Sequence, residues 1–298
     1  MKQLLSWLVL PPLGLLLAAA LILLAHELVL AQSSRVTTNI AYKPATAEGF
    51  NAARNRLDVY APRKAAPAAG YPVVLFIHGG SWNSGSKDYW LYKAIGRRLA
   101  RKGFVGVVPS YRLSPQVRVL AQADDCAAAL AWTVAHARDY GGDPARIILM
   151  GHSAGGGLAA LLATGSDSLL SRYHLPANTA HAVLLDDPAG LDMLDYLTRM
   201  EEPDDAQYLV PFTRDPAVWR QASALYHLRP GMPPYSIYVG SKTYPGILRS
   251  GEKFRQRLTA LGAAPRYTVL KGKKHVPMVL QLLWPWNQLY GELKRLAQ

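Results

Sequence analysis

Short apolar runs alternate with amphipathic stretches along the chain after residue 32. The run YPVVLFI at residues 71–77 is continuously apolar, which is typical of a strand buried on both faces of a sheet. Glycine and proline interrupt the pattern between segments, for example in GGDP at residues 141–144. This alternation predicts an α/β fold with a mostly parallel sheet and helices on both faces.

The pattern predicts eight strands and the helices that connect them. Two short antiparallel strands come first, at a sheet edge, and helices separate most of the later strands. Because ligands of such sheets bind beyond the carboxyl ends of the strands, we expect the functional residues there. Strands are predicted at residues 35–42, 56–60, 71–77, 104–108, 146–150, 182–185, 235–239 and 267–270, and helices at residues 88–101, 120–140, 250–261 and 276–296, with one more directly after residue 153.

The N-terminal segment has a different pattern. Residues 4–25 are almost wholly apolar and follow Lys2, and a run of about 20 apolar residues can span a bilayer. Two prolines interrupt the run, and the small residues before Gln32 resemble a signal-peptide cleavage site. We therefore expect residues 1–31 to be a transmembrane anchor or a signal peptide, and residues 32–298 to form one catalytic domain. In both cases the domain is exported, and it is periplasmic if the source is bacterial.

Composition narrows the classes of partner and cofactor. The 33 Lys and Arg residues against 20 Asp and Glu give a formal charge of +13, but no recognition-helix or zinc-finger pattern accompanies them. We expect no nucleic-acid partner, and attraction to anionic lipid is the better interpretation of the charge. The single cysteine, Cys126, excludes an intramolecular disulfide framework and a cysteine-based zinc site. No metal or organic cofactor is expected.

The motif GHSAG at residues 151–155 is the first candidate for chemistry. It follows a predicted strand and precedes a helix of small residues. In this context small flanking residues permit a tight turn that raises the serine oxygen above the sheet. Ser153 is therefore the predicted nucleophile.

A second motif, HGGSW at residues 78–82, follows the first buried strand. Glycines let backbone N–H groups approach a ligand, and a tetrahedral oxyanion needs such donors. Gly79 and Gly80, together with Ala154, are the predicted oxyanion hole. Trp82 is predicted to bind substrate as a wall of the acyl pocket, with simple packing as the open alternative.

The base is predicted at His275, which follows the last strand. A serine hydroxyl needs an adjacent base to become nucleophilic, and imidazole titrates in the appropriate range. The order of nucleophile, acid and histidine along the chain is that of an α/β hydrolase.

Together HGGSW, SYRLSP at residues 110–115, GDPARI at residues 142–147 and GHSAGG resemble the carboxylesterase and kynurenine formamidase-like branch of the α/β hydrolases. The resemblance extends from about residue 41 to the C terminus. It implies an eight-stranded α/β-hydrolase fold, and a serine hydrolase that cleaves small or short-chain carboxylic esters through an acyl-enzyme. The partly acidic segment 192–211, which contains Tyr196 and Tyr208, is predicted to form a small lid after strand 6. Two alternatives stay open: an amidase or formamidase using the same triad, and a catalytically silent binding protein. The natural substrate and the oligomeric state are not indicated.

The acid departs from the family pattern. Members usually carry an aspartate after the seventh strand, in a Gly-x-x-Asp stretch, whereas this chain has GSKT at residues 240–243. Some lipases that resemble pancreatic lipase place the acid after strand 6, in an Asp-Pro-Ala stretch similar to the one at Asp187. Asp187 is therefore predicted, followed by Asp186, because a slip of one residue reverses side-chain direction, and then Asp192. A simple turn function for the two adjacent aspartates is the open alternative.

Overall fold

Eight strands form one sheet in the residues that the computed structural model describes, 34–165, 167–201 and 203–298. The strand order is β1-β2-β4-β3-β5-β6-β7-β8. The pairs β1–β2 and β2–β4 are antiparallel, and all other neighbours are parallel. This confirms the predicted fold class. The strands are β1 (Ser34–Ala41), β2 (Arg56–Pro62), β3 (Tyr71–Ile77), β4 (Val105–Pro109), β5 (Gly142–His152), β6 (Ala182–Asp186), β7 (Tyr235–Gly240) and β8 (Arg266–Leu270).

Helices cover both faces of the sheet. The layer on one face consists of α1, α9 and α10, and the layer on the other face contains α2, α3 and α8. The helices are α1 (Trp90–Arg101), α2 (Val119–His136), α3 (Ala154–Ala163), α4 (Asp167–Ser171), α5 (Met193–Arg199), α6 (Leu209–Phe212), α7 (Pro216–Gln221), α8 (Pro245–Ala260), α9 (His275–Leu280) and α10 (Gln288–Leu296).

Strand β3 shows why the central strands are apolar throughout. Val73, Leu75 and Ile77 belong to the hydrophobic cluster beneath α2 and α3, whereas Val74 and Phe76 belong to the cluster beneath α1. Successive side chains of a strand point to opposite faces, so a strand covered by helices on both faces needs apolar residues at every position.

The predicted helix over residues 276–296 is wrong in one respect. Helix α9 ends at Leu280, a 3₁₀ turn covers Gln281–Leu283, and α10 begins only at Gln288. Pro285 explains the break, because proline lacks the N–H that a helix interior needs and disfavours a helical conformation in the residue before it. Trp284 is extended accordingly, with ψ 124°.

The chain between β6 and β7 forms the small lid expected after strand 6. It contains the short helices α5, α6 and α7. Met193, Leu197 and Phe212 are buried and anchor the lid to the main core.

The predicted N-terminal anchor or signal peptide, residues 1–31, lies outside the described residues. Within residues 34–165, 167–201 and 203–298, no helix has the length and apolar character needed to cross a membrane.

Candidate active site

Ser153 occupies a sharp turn between β5 and α3. Its backbone has φ 55° and ψ −127°, a conformation that is costly for a residue other than glycine. Glycine is required on either side of the turn: a Cβ at Gly151 would overlap the backbone of Gly155, and a Cβ at Gly155 would overlap the carbonyl oxygen of Ile77. The glycines of the motif therefore permit the turn that presents the Ser153 hydroxyl.

A line of hydrogen bonds connects Ser153 to His275 and Asp187. His275 Nε2 lies 2.8 Å from Ser153 Oγ, and His275 Nδ1 lies 2.5 Å from Asp187 Oδ2. An ionised carboxylate can only accept, so Nδ1 carries the proton and donates to Asp187. Nε2 is then free to accept the proton of the Ser153 hydroxyl. This tautomer is the one that a general base requires.

The Asp187 carboxylate is held by groups at the end of β7 and in the loop that follows it. Oδ1 accepts the Gly240 N–H at 2.8 Å, and Oδ2 accepts the hydroxyl of Thr243. Asp187 itself has φ 48°, which turns the chain out of the direction of β6. Thr243 belongs to the GSKT stretch that lacks the usual acid, and its Oγ1 lies 3.5 Å from His275 Nδ1. A hydroxyl therefore lies beside the Asp187 carboxylate at the position where the family resemblance led us to expect the acid.

The two alternative acids have other partners. Asp186 is fully buried, and its Oδ2 accepts a hydrogen bond from His152 Nδ1 at 3.0 Å. Burial raises the pKa of the Asp186 carboxyl. Asp192 caps the N terminus of α5. Of the three candidates, Asp187 is the one whose carboxylate contacts His275.

The loop after β3 places the predicted oxyanion donors unequally. Burial raises the pKa of Tyr92 and a hydrogen bond with the Gly79 backbone lowers it, so the Gly79 backbone already has a protein partner. The N–H groups of Gly80 and Ala154 donate to no protein acceptor in the described residues. The same holds for Ser81, which the sequence interpretation did not include. The available donors are therefore those of Gly80, Ser81 and Ala154.

A cavity of about 80 Å³ opens beside Ser153 and His275. Trp82 is buried in its wall and meets Tyr208 and Phe212 edge-to-face, at 5.9 and 4.7 Å between ring centroids. Trp82 thus both lines the cavity and anchors the lid. Sequence reasoning missed Tyr244, which comes from the loop before α8 and carries no motif. The remaining lining residues are Ser81, Ala189, Gly190, Asp192, Met193, Tyr196, Tyr244, Gly246, Ile247 and Ser250.

The sequence around this site matches a known protein family. Residues 57–245 match the BD-FAE family model. The chain belongs to the BD-FAE family. Esterase LipC of Mycobacterium tuberculosis (strain H37Rv) is 30% identical over 81% of this chain and 64% of LipC. A probable isoprenylcysteine alpha-carbonyl methylesterase of Oryza sativa subsp. japonica, ICMEL1, is 30% identical over 76% of this chain and 56% of its own length. The chain thus spans less than two thirds of the length of each of these two relatives.

Solved structures agree with the fold. Esterase B from Lactobacillus rhamnosis has a TM-score of 0.71 at 22% identity, covering 96% of this chain and 95% of its own. A truncated carbohydrate esterase from gut microbiota has a TM-score of 0.73 at 20% identity, covering 89% and 97% of the two chains. These similarities confirm the predicted α/β-hydrolase fold.

Proposed function

We propose that this protein is a serine carboxylesterase that hydrolyses small or short-chain carboxylic esters. The observation that carries the proposal is the unbroken line of hydrogen bonds from Ser153 through His275 to Asp187, at the edge of a cavity. A serine paired with a base that is itself oriented by a third group is the arrangement that activates a hydroxyl for nucleophilic attack.

The residues support acyl transfer in two stages. His275 Nε2 takes the proton from Ser153 Oγ as this oxygen forms a bond to the ester carbonyl carbon, while Asp187 stabilises the resulting imidazolium. The imidazolium then gives the proton to the leaving alcohol, and the bond to the alcohol oxygen breaks. Water, deprotonated by the same imidazole, attacks the acyl-enzyme, and the proton returns to Ser153 as the acid leaves.

Backbone amides stabilise the charge that forms on the carbonyl oxygen. Gly80, Ser81 and Ala154 offer N–H groups that donate to no acceptor in the part of the chain that the structure describes. Fixed donors of this kind are typically worth on the order of 10²–10³ in rate each. Ser81 and Trp82 have φ values of 50° and 60°, so strained backbone is concentrated in this loop as it is at Ser153.

The size of the cavity favours a short acyl group. About 80 Å³ bounded by the buried Trp82 and the lid leaves space for a few carbon atoms. The relatives of this chain include an esterase and a probable methylesterase, which supports an ester substrate. A structure of esterase B inhibited by a tributyrin phosphonate also has this fold, with a TM-score of 0.72.

The export of the domain is part of the same proposal and is supported by the sequence alone. The apolar run within residues 1–31 would serve as a membrane anchor, or as a signal peptide that is removed. In either case the esterase acts outside the cytoplasm.

The full-length chain should hydrolyse short-chain p-nitrophenyl esters, and Ser153→Ala should abolish this activity while the protein stays folded. The matched control is Ser171→Ala, because Ser171 is an exposed serine at the end of α4 and does not line the cavity. Activity that persists in Ser153→Ala contradicts the proposal. Preference for amides over matched esters would favour the amidase alternative.

A further inference from the structure

We propose that the outer surface of the helical layer formed by α1, α9 and α10 is a membrane-binding face for bilayers that contain anionic phospholipid. This inference concerns a surface and does not depend on the esterase activity. Two independent properties of the layer carry it, its charge and its exposed aromatic side chains.

The positive charge of the protein is concentrated on this layer. Residues 88–102 and 271–298, which contain the three helices, hold ten Lys and Arg against two acidic residues, a surplus of eight. The other 255 residues hold 23 Lys and Arg against 18 Asp and Glu, a surplus of five. One of the two acids, Glu292, is buried against Arg266 and Arg295. Less than a sixth of the chain thus carries most of the net charge of +13.

These basic groups share one surface. The pKa of the Lys102 ammonium group is lowered by desolvation and then by the charges of Lys294, Arg98 and Arg101. Lys102 Nζ lies 5.8 Å from the centre of the Tyr290 ring of α10. Arg101 and Lys294 are exposed, so the C-terminal parts of α1 and α10 present neighbouring positive charges to solvent.

The same layer exposes most of the large apolar side chains. Six of the eleven large hydrophobic residues that are exposed in the described part of the chain belong to it, including all three exposed tryptophans. Trp286 is 79% exposed and stacks on Trp284 at 6.0 Å. The 3₁₀ turn before these tryptophans is fixed to α1, where the Arg98 guanidinium donates to the Leu283 carbonyl at 2.7 Å. The six residues are Tyr89, Trp90, Val276, Leu280, Trp284 and Trp286.

Tryptophan and tyrosine favour the interface of a bilayer, and Lys and Arg near them attract anionic headgroups. The exposed apolar side chains of Val276 and Leu280 would gain no apolar contact from the phosphate backbone of a nucleic acid, whereas they would contact the acyl boundary of a bilayer. A second copy of the chain would present the same positive face and be repelled. An anionic bilayer is therefore the partner that satisfies both properties.

The orientation of the layer has a consequence for access to the site. Helices α1 and α9 both begin at the carboxyl edge of the sheet, after β3 and β8, and Val276 directly follows His275. Tyr244, which lines the cavity beside His275, is 52% exposed. A bilayer bound to this face would lie beside the entrance to the cavity.

The test uses the full-length chain with an environment-sensitive fluorophore attached to a cysteine at one of two positions. Trp286→Cys reports on the proposed face, and Ala260→Cys at the end of α8 reports on the opposite layer. Cys126 is fully buried, so labelling is directed to the new thiol. The labelled proteins are added to vesicles of phosphatidylcholine, with or without phosphatidylglycerol.

The proposal predicts a blue shift at position 286 that requires phosphatidylglycerol and is lost in high salt, with no such shift at position 260. Because the readout is local, it reports on the face even when residues 1–31 hold the chain on the vesicle. The triple variant Arg101→Gln, Lys271→Gln, Lys294→Gln should lose the shift at position 286. The control Lys64→Gln, Arg138→Gln, Arg257→Gln removes the same charge from exposed positions elsewhere and should keep it. All variants should hydrolyse a soluble ester normally.

Equal responses at positions 286 and 260 would overturn the proposal. So would a response at position 286 that requires only a higher protein concentration, which indicates self-association, or one produced by DNA and not by the vesicles.

Discussion

Two histidine–aspartate pairs lie side by side in this protein and differ in what they can do. His275 pairs with Asp187 and contacts Ser153. His152 pairs with Asp186, and its side chain is buried. The centroids of the two imidazole rings are 4.9 Å apart. Two pairs of the same residue types, built on the adjacent aspartates Asp186 and Asp187, thus differ in whether the histidine contacts Ser153.

Backbone direction separates the two pairs. Asp186 is the last residue of β6 and faces His152 across the parallel register of β5 and β6. Asp187 leaves the strand with φ 48°, and its N–H donates to the Tyr238 carbonyl of β7 at 2.7 Å. One residue of chain therefore changes the side-chain direction from the sheet neighbour to the imidazole of the site.

The largest expected effect comes from Asp187→Asn. This change removes the carboxylate that fixes the His275 tautomer, and loss of the triad acid has cost about 10⁴ in turnover elsewhere. Asp186→Asn is the matched control: an amide oxygen can still accept from His152, so we expect a far smaller loss. Steady-state kinetics on a p-nitrophenyl ester measure both. A larger loss of turnover in Asp186→Asn would reverse the assignment of the two pairs.

A third histidine, His78, has no carboxylate partner among the residues that the structure describes, and it should make stability depend on pH. It is fully buried between the rings of Tyr92 and Tyr111, and desolvation lowers its pKa to about 4. The unfolded chain binds this proton near pH 6.5, so the stabilisation is present above about pH 6.5 and declines as the pH falls toward 4. The loss reaches about 3 kcal/mol.

Denaturant unfolding of the full-length chain at a series of pH values measures this dependence. In His78→Gln, the part of the decline between pH 6.5 and 4 that His78 causes should vanish, whatever the stability of the variant at pH 7. An unchanged slope in that variant would show that other groups cause the decline.

A smaller effect is expected from Thr243→Val, which removes the hydroxyl that donates to Asp187. A hydrogen bond to a charged group is worth roughly 1.5–3 kcal/mol, so turnover should fall by about tenfold or more while KM changes little. Thr243→Ser keeps the donor and should restore most of the activity. If Thr243→Ser is as impaired as Thr243→Val, the methyl group and not the hydroxyl supports the site.

The serine and the histidine of the site were the parts most accessible from sequence. Ser153 lies in a motif whose glycines permit the tight turn between a strand and a helix, and His275 was placed by its position after the last strand. The choice between Asp186 and Asp187 depends on a side-chain direction that reverses with each residue, and only Asp187 was found to face the imidazole.

Other parts of the site gave weaker signals. Thr243 was not predicted, because only carboxylates were expected beside His275 and Thr243 carries a hydroxyl. Ser81 was not predicted, because whether a loop N–H has a protein partner depends on tertiary contacts such as the one between Gly79 and Tyr92. In the fold, the break between α9 and α10 was foreseeable from Pro285.

The most direct measurement is the mass of the active-site peptide after reaction of the full-length chain with a fluorophosphonate. The account predicts a single adduct on Ser153, formed quickly in the unchanged chain and far more slowly in Asp187→Asn. Labelling of another residue, or none at Ser153 in a folded protein, would contradict it.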